Sequence, residues 1–437
     1  MIMTSTYKKH ITIIFAFILL LSSNIKAQSD SLSHYLTVAA DNNTGLKADF
    51  LLYKASMEKL PQVGTLPDLQ LDMGFYIQPM DVIDGRQVAD FTLMQMFPWF
   101  GTKKAAQTEA QHQANVAYEQ FRESRDNLFL EVYTQWYKLC SLQQKLKNID
   151  EQQTYLNHLQ ELAVLKYSSS SPNSSGADNM SSTLRIKLET VELDNSRESI
   201  ISEIKSEKAK FNSLLNRPSG IQVIIPDTII KVNFSLDILS ALEDISAQSP
   251  TLGMIKEESL SFAAKAKADK KMSMPMIGVG VQYSLLNKRL PTVIPVSDMN
   301  GMDMIMPMIS LSIPIYRNKY KAQQRESKLM QQAGTERYNQ VFNSIKSELI
   351  SINHQLDDAL RTITLLEKQT ELATSTHSLI LREYSTGRSN LTDVIEVQRQ
   401  LLDYKLRKSD AIATYNTMAA SAQRLSSFND KINYNKQ

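Results

Sequence analysis

The chain has 437 residues, with 48 Lys and Arg against 46 Asp and Glu. Residues 1–27 hold three lysines and no acid, so the remainder carries 45 basic against 46 acidic residues, which argues against a nucleic-acid partner. The single cysteine, Cys140, makes neither an internal disulfide nor a cysteine metal cluster and reads as a small core residue.

In chain order, the first expected element is a signal peptide over 1–27. Lys8 and Lys9 form a basic flank, Ile11 to Leu21 is apolar except for Thr12, and the exit ends in Ala27. Eleven residues are too few to cross a bilayer, which takes about 20. A buried core helix is the alternative reading of that run. Gln28 follows, not cysteine, so no lipid attachment is expected there. Beyond Ala27 there is no apolar run of 18 residues and hence no transmembrane helix. A barrel strand of about 9–11 alternating residues remains open.

The first structural repeat is expected over 28–216. It comprises a helix near Asp30–Glu58, strands at 69–78 and 87–97, a long helix at 102–167 and a helix at 179–215. Leu69, Leu71, Met73, Phe75 and Ile77 alternate with Gln70, Asp72, Gly74, Tyr76 and Gln78, as in a strand with one apolar face. On the long helix, Val132, Leu139, Leu142, Leu146, Ile149, Leu156 and Ala163 fall on a heptad frame. Asp178 looks like an N-cap. A linker at 217–235 follows, whose apolar run Ile221–Ile230 is a candidate for a small strand.

The second repeat is expected over 236–428, with a helix near Leu236–Lys271, strands at 276–286 and 304–315, a long helix at 318–384 and a helix at 391–428. A tail at 429–437 closes the chain. Ile277, Val279, Val281, Tyr283 and Leu285 alternate with Gly278, Gly280, Gln282 and Ser284. Ile345, Leu349, Ile352, Leu356, Ala359, Ile363, Leu366, Ala373 and Ile380 step by fours, threes and sevens, which is coiled-coil spacing. Each long helix would extend on the order of 100 Å at about 1.5 Å per residue.

The two halves repeat one order of elements. Phe97-Pro98-Trp99-Phe100-Gly101-Thr102-Lys103-Lys104 aligns with the segment from Ile313 through Pro314 and Tyr316 to Tyr320. Each segment is a seam between strand and helix. Pro98 ends ladder pairing, Trp99 and Phe100 suit an interfacial aromatic belt, and Gly101 turns the backbone. Four strands cannot close a barrel, and open edges in lipid would leave unpaired N–H and C=O groups. Several chains should therefore share one barrel. Two chains would give eight strands and a filled interior; three would give twelve and an open lumen. The alternative is a soluble coiled-coil bundle with two incidental hairpins.

This duplicated order, the two seams and the turn from Tyr384 to Val394 resemble the TolC-like outer-membrane efflux protein family, over nearly the whole mature chain. The resemblance implies a mainly helical chain with membrane β-structure, assembled as a homotrimer with a twelve-stranded β-barrel and a periplasmic α-barrel. It implies a passive exit duct in the outer membrane of a Gram-negative bacterium. Its expected partners are outer-membrane lipid, a periplasmic adaptor and an inner-membrane transporter, expected to be proton-driven. No cofactor is expected. A protein-secretion conduit and a non-pore periplasmic scaffold are the alternatives. The resemblance places gate residues at Asp393 and Glu396, three copies of each making rings of negative charge. The plainer role for Asp393 is to favour the helix dipole.

Methionine is frequent, 19 residues in all. Met272, Met274 and Met276 form one group, and Met302, Met304, Met306 and Met308 another, with Met299 close by. Thioethers suit Cu(I) or Ag(I), and the family that the chain resembles has a heavy-metal branch, so soft-metal contact with heavy-metal resistance is one reading; gap-filling packing is the other. His112, His158, His354 and His377 are expected on solvated helix faces. There is no Walker loop, dinucleotide glycine pattern or nucleophile elbow, so no enzyme is expected.

Overall fold

The structure, a computed structural model, describes residues 32–169, 176–290, 298–386 and 388–428. The expected signal peptide, the tail at 429–437 and Gly387 lie outside the described residues. The elements are α1 (Leu32–Asn42), α2 (Thr44–Met57), α3 (Lys59–Gly64), β1 (Gln70–Val82), β2 (Gly85–Phe97), α4 (Thr102–Ser169) and α5 (Gly176–Leu214). There follow α6 (Ile238–Gln248), α7 (Pro250–Met272), β3 (Met276–Asn287), β4 (Met304–Ser312), α8 (Arg317–Ser385) and α9 (Leu391–Leu425). No described helix is long and apolar enough to cross a membrane.

The chain divides into two compact units. One gathers residues 32–43, 128–233 and 355–420, and the other residues 44–127, 234–354 and 421–428. The helical unit is a coiled-coil core. Val132, Leu139, Leu142, Ile149, Leu156 and Ala163 of α4 are buried, as are Leu356, Ala359, Ile363, Leu366 and Ala373 of α8. Leu146 and Ile380 are half-buried. Further aromatic packing joins Tyr35, Trp136 and Phe211, with Tyr35 and Phe211 edge-on at 5.1 Å. Cys140 is buried in this unit, and desolvation pushes its thiol up to about 12.

The other unit holds the sheet, in which all four strands run antiparallel in the order β1-β2-β3-β4. The two hairpins are thus joined side by side through β2 and β3. β1 and β4 are each paired on one side only.

Several boundaries differ from expectation. The first strand runs on to Val82, because the ladder breaks between Phe75 and Met80 and then resumes. Pro79 lies in that break and has no N–H to give. The resumed pairing reaches the Ile83-Asp84 turn, after which Gly85 takes φ +146°. The strand expected over 304–315 stops at Ser312, whose partner Met276 follows Pro275 and is the first residue of β3. The helix expected near 236–271 is two helices, since Ser249 precedes Pro250 and is held at ψ 121°. The helix expected near 30–58 breaks at Asn43, whose side chain donates to Leu214 O at 3.2 Å.

The run Ile221–Ile230 forms no strand among the described residues. Among the described residues no strand pairs with it, and side chains hold part of its backbone instead. Asn212 Nδ2 donates to Ser219 O and Ile221 O, and Tyr35 Oη accepts from Ile224 N. Asn416 Oδ1 accepts from Val232 N at 2.9 Å while its Nδ2 donates to Ile230 O at 2.9 Å, in the manner of a ladder partner.

Candidate conduit wall, seam and gate

Register sorts the sheet into two faces. Directly paired residues share a face. Leu71, Met73 and Phe75 of β1 lie with Phe91 and Leu93 of β2, Tyr283, Val281, Val279 and Ile277 of β3, and Ile305, Ile309 and Leu311 of β4. This apolar face is solvent-exposed in the single chain: Phe75, Val279 and Ile309 are 70%, 53% and 84% exposed. The opposite face carries Gln70, Asp72, Asp90, Thr92, Gln282, Ser284, Ser310 and Ser312.

That polar face also carries thioethers. Met308 pairs with Gly280, Met306 with Gln282 and Met304 with Ser284. Met94 pairs with Gly280 from the other side, and Met96 with Gly278. A Cβ on Gly278 would lie 2.7 Å from Met96 Sδ and 3.0 Å from Met94 Sδ, so both sulfurs converge over that glycine. Met272, Met274 and Met276 are separate. Met276 pairs with Ser312 on the same polar face, but four residues along β3 from Gly280, the partner of Met308, or roughly 13 Å. Met302 and Met299 lie in the turn before β4. The two sequence groups therefore do not meet, and the methionines that do converge, Met94 and Met96, were not singled out from sequence.

At the first seam, Phe97 pairs with Ile277 as the last rung of the β2–β3 ladder. Pro98 and Trp99 are half-buried, Phe100 is exposed, and the two rings stand edge to face at 6.0 Å. Gly101 takes φ +80°, a left-handed conformation that a side chain would strain. Thr102 N then donates to Trp99 O at 3.0 Å as α4 begins. The second seam differs. Ile313, Ile315 and Tyr316 are exposed, Pro314 is half-buried, and Arg317 stands where the first seam has glycine, with no left-handed residue.

Asp393 and Glu396 are exposed in the first turns of α9. Asp393 Oδ2 accepts from Ser389 Oγ at 3.1 Å and Asn390 N at 3.4 Å, which makes one half of a capping box at the start of its own helix. Glu396 accepts from Gln400 Nε2 at 3.4 Å. Beneath them lies an apolar cluster that includes Leu391, Val394, Ile395, Ile186 and Leu159. Beside it, Arg185 donates to Thr392 Oγ1, and Arg399 donates to Glu189 at 2.8 Å and Glu192 at 3.2 Å. Hydrogen bonding to Glu189 raises the Arg399 pKa further, keeping it charged. The first-half turn includes residues 170–175, outside the described residues. α5 begins at Gly176, so Asp178 falls inside the helix and not at its N-cap.

Two histidines also depart from expectation. His112 Nδ1 meets Glu257 Oε2 at 2.8 Å, and His377 Nε2 meets Tyr155 Oη at 2.8 Å; both are half-buried between helices. Burial lowers the His377 pKa and pushes the Tyr155 hydroxyl up to about 12. His158 and His354 are exposed, as expected.

No protein-family model matches this sequence, and no curated protein matches it. Solved structures do. The outer membrane protein VceC from Vibrio cholerae aligns with TM-score 0.69 at 13% identity, over 91% of this chain and 96% of its own. CusC aligns with TM-score 0.69 at 14% identity, over 91% and 92%. The open-state MtrE outer membrane channel of Neisseria gonorrhoeae aligns with TM-score 0.65 at 14% identity, over 91% and 88%. The fold is that of the TolC-like outer-membrane channels. At these identities the likeness is one of fold.

Within the TolC-like fold, sequence reasoning missed the Arg399–Glu189–Glu192 group and the Met94–Met96 pair. Glu189 and Glu192 are spaced i,i+3 on one face of α5, a signal for a cationic partner. The methionine pair carried no local signal, because its meaning lies in the glycines of the neighbouring strand.

Proposed function

We propose that this protein is the outer-membrane exit duct of a tripartite efflux system, conducting substrates passively from a periplasmic adaptor and an inner-membrane transporter. The observation that carries this reading is the sheet: four strands with one apolar and one polar face, and unpaired edges at β1 and β4. In lipid such edges must be paired, and pairing β4 of one chain with β1 of the next closes a ring. Three chains give twelve strands and a wet lumen lined by the polar face.

The helical unit supports the same assembly. Leu365, Leu372 and Leu379 form an exposed apolar stripe at heptad spacing on α8, while Leu184, Leu188 and Val191 are exposed on α5. Both stripes suit packing between neighbouring chains of a homotrimer. Asp393 and Glu396 would then recur three times around the tunnel and favour cations there, in addition to the cap Asp393 makes in each chain. Export across the inner membrane by the signal at 1–27 belongs to this reading, as does outer-membrane localisation with a periplasmic helical tunnel. The test is fractionation with subunit counting. An outer-membrane protein released by detergent as a trimer is expected; release by salt alone as a monomer would favour the non-pore scaffold.

A second reading concerns cargo. The convergence of Met94 and Met96 over Gly278, with Met308 and Met306 on the same face, favours passing contact with a soft monovalent cation such as Cu(I) or Ag(I) over a drug or protein cargo. A deletion strain should lose copper or silver tolerance. Unchanged metal tolerance with new drug sensitivity would defeat the metal reading and leave the duct reading intact.

A further inference from the structure

A cavity of about 740 Å³ opens at the first seam. Its apolar side is built from Leu66, Phe97, Trp99, Phe100 and Ile277; Lys103 and Lys104 line it from the helix, and among the described residues no acid lines it. Phe97 and Ile277 belong to the apolar face of the sheet, so the cavity continues that face at its helix-side margin. A third lysine is close: a Cβ placed on Gly101 would lie 4.0 Å from Lys271 Nζ. No salt bridge among the described residues engages any of these three lysines.

The placement of the lysines is informative. Lys103 and Lys104 stand in the first turn of α4, which contains no acid. The helix dipole is already positive there, so cations are disfavoured and an anion is favoured. The same turn is set by Gly101 at φ +80°, which directs the chain from the aromatic pair straight into the lysines. Apolar wall, amphipathic aromatic rim and uncompensated cations follow one another across a few residues. That order matches acyl chain, interfacial glycerol and phosphate of a membrane lipid.

We infer that this cavity binds one anionic phospholipid per chain, with an acyl chain against Phe97 and Ile277 and the phosphate held by Lys103 and Lys104, assisted by Lys271. The site rests on the membrane reading above. It would fix the depth of the seam in the leaflet and brace the joint between strand and helix.

The test is native mass spectrometry of the detergent-purified full chain, with phosphatidylglycerol and phosphatidylcholine supplied in equal amounts. Preferential retention of phosphatidylglycerol, by about tenfold, is expected: both lipids present a phosphodiester, but the choline cation of phosphatidylcholine is repelled by the lysines that the net negative charge of phosphatidylglycerol attracts. Lys103→Gln with Lys104→Gln should abolish the preference, and Lys103→Arg with Lys104→Arg should keep it. Inorganic phosphate in excess should not displace the lipid; displacement would reassign the site to free phosphate. Equal retention of the two lipids, or an unchanged preference in the glutamine variant, overturns the proposal. Should the protein instead leave the membrane fraction without detergent, the duct reading itself fails; a detergent-requiring trimer without lipid preference loses only the lipid site.

Discussion

Arg399 of α9 donates to Glu189 of α5, Nε to Oε2 at 2.8 Å, and its second nitrogen reaches Glu192 at 3.2 Å. The guanidinium is more than half exposed while Glu189 is largely buried. The pair ties the start of α9 to a neighbouring helix beside Asp393 and Glu396. Solvent screening limits its worth to stability at about 0–1 kcal/mol. Its proposed role is to hold α9 in place. Arg399→Glu should therefore leave the unfolding midpoint nearly unchanged and increase single-channel conductance. The charge swap with Glu189→Arg should restore the closed value. Equal conductance in all three proteins would remove the pair from gating.

Asn416 is buried and bonds both Val232 N and Ile230 O. Asn416→Ala would leave a donor and an acceptor unpaired, at a cost of about 1–3 kcal/mol for each that stays shielded from water. A lowered denaturation midpoint is expected, together with earlier proteolysis of the segment around 221–232. An unaltered midpoint would show that water serves the segment equally well.

Those two sites mark where sequence was readable and where it was not. The heptad positions of α4 and α8 were readable, because 3.5-residue periodicity is local and marks the buried stripe of each helix. Strand alternation and the Phe97–Gly101 seam were readable for the same reason. The lack of a strand at Ile221–Ile230 was not: an apolar run looks the same whether a strand or an asparagine side chain pairs with it. The meeting of Met94 with Met96 over Gly278 depends on strand register, which no local pattern fixes. Pro250 was visible, yet the helix around it was expected to be continuous; the residue before a proline resists helix geometry, and Ser249 obeyed that rule.

Glu207 provides a pH signature. Burial alone would raise its carboxyl, but hydrogen bonds from Gln135, Lys138 and Lys210 outweigh it and lower the pKa from 4.5 to about 2. A depressed carboxyl stabilises the fold above its unfolded value and loses that contribution as pH falls through the folded value. Stability should thus decline between about pH 4.5 and about pH 2. Glu207→Gln should be less stable at neutral pH and show a shallower acid decline. Parallel pH–stability curves for the two proteins would contradict this.

Cys140 should resist alkylation. Its thiol is buried and pushed up to about 12, so thiolate is scarce at neutral pH. Maleimide should label the unfolded chain stoichiometrically and the folded chain negligibly over the same interval. Rapid labelling of the native protein would mean that the α4 core opens readily.

The exposed leucines at 365, 372 and 379 predict that assembly depends on them. Leu372→Glu should shift the detergent-solubilised protein from trimer to monomer in light scattering, with helix content retained. A trimer that survives the charge would place the chain–chain interface elsewhere.

The central claim is that chains of this protein together form an open pore. Single-channel recording from the detergent-purified protein in planar lipid bilayers tests it most directly. Discrete, reproducible conductance steps are predicted, lost when the trimer is dissociated before reconstitution. A purified, folded oligomer that inserts without producing any steps, including with the Arg399→Glu change that should loosen its constriction, would contradict the claim.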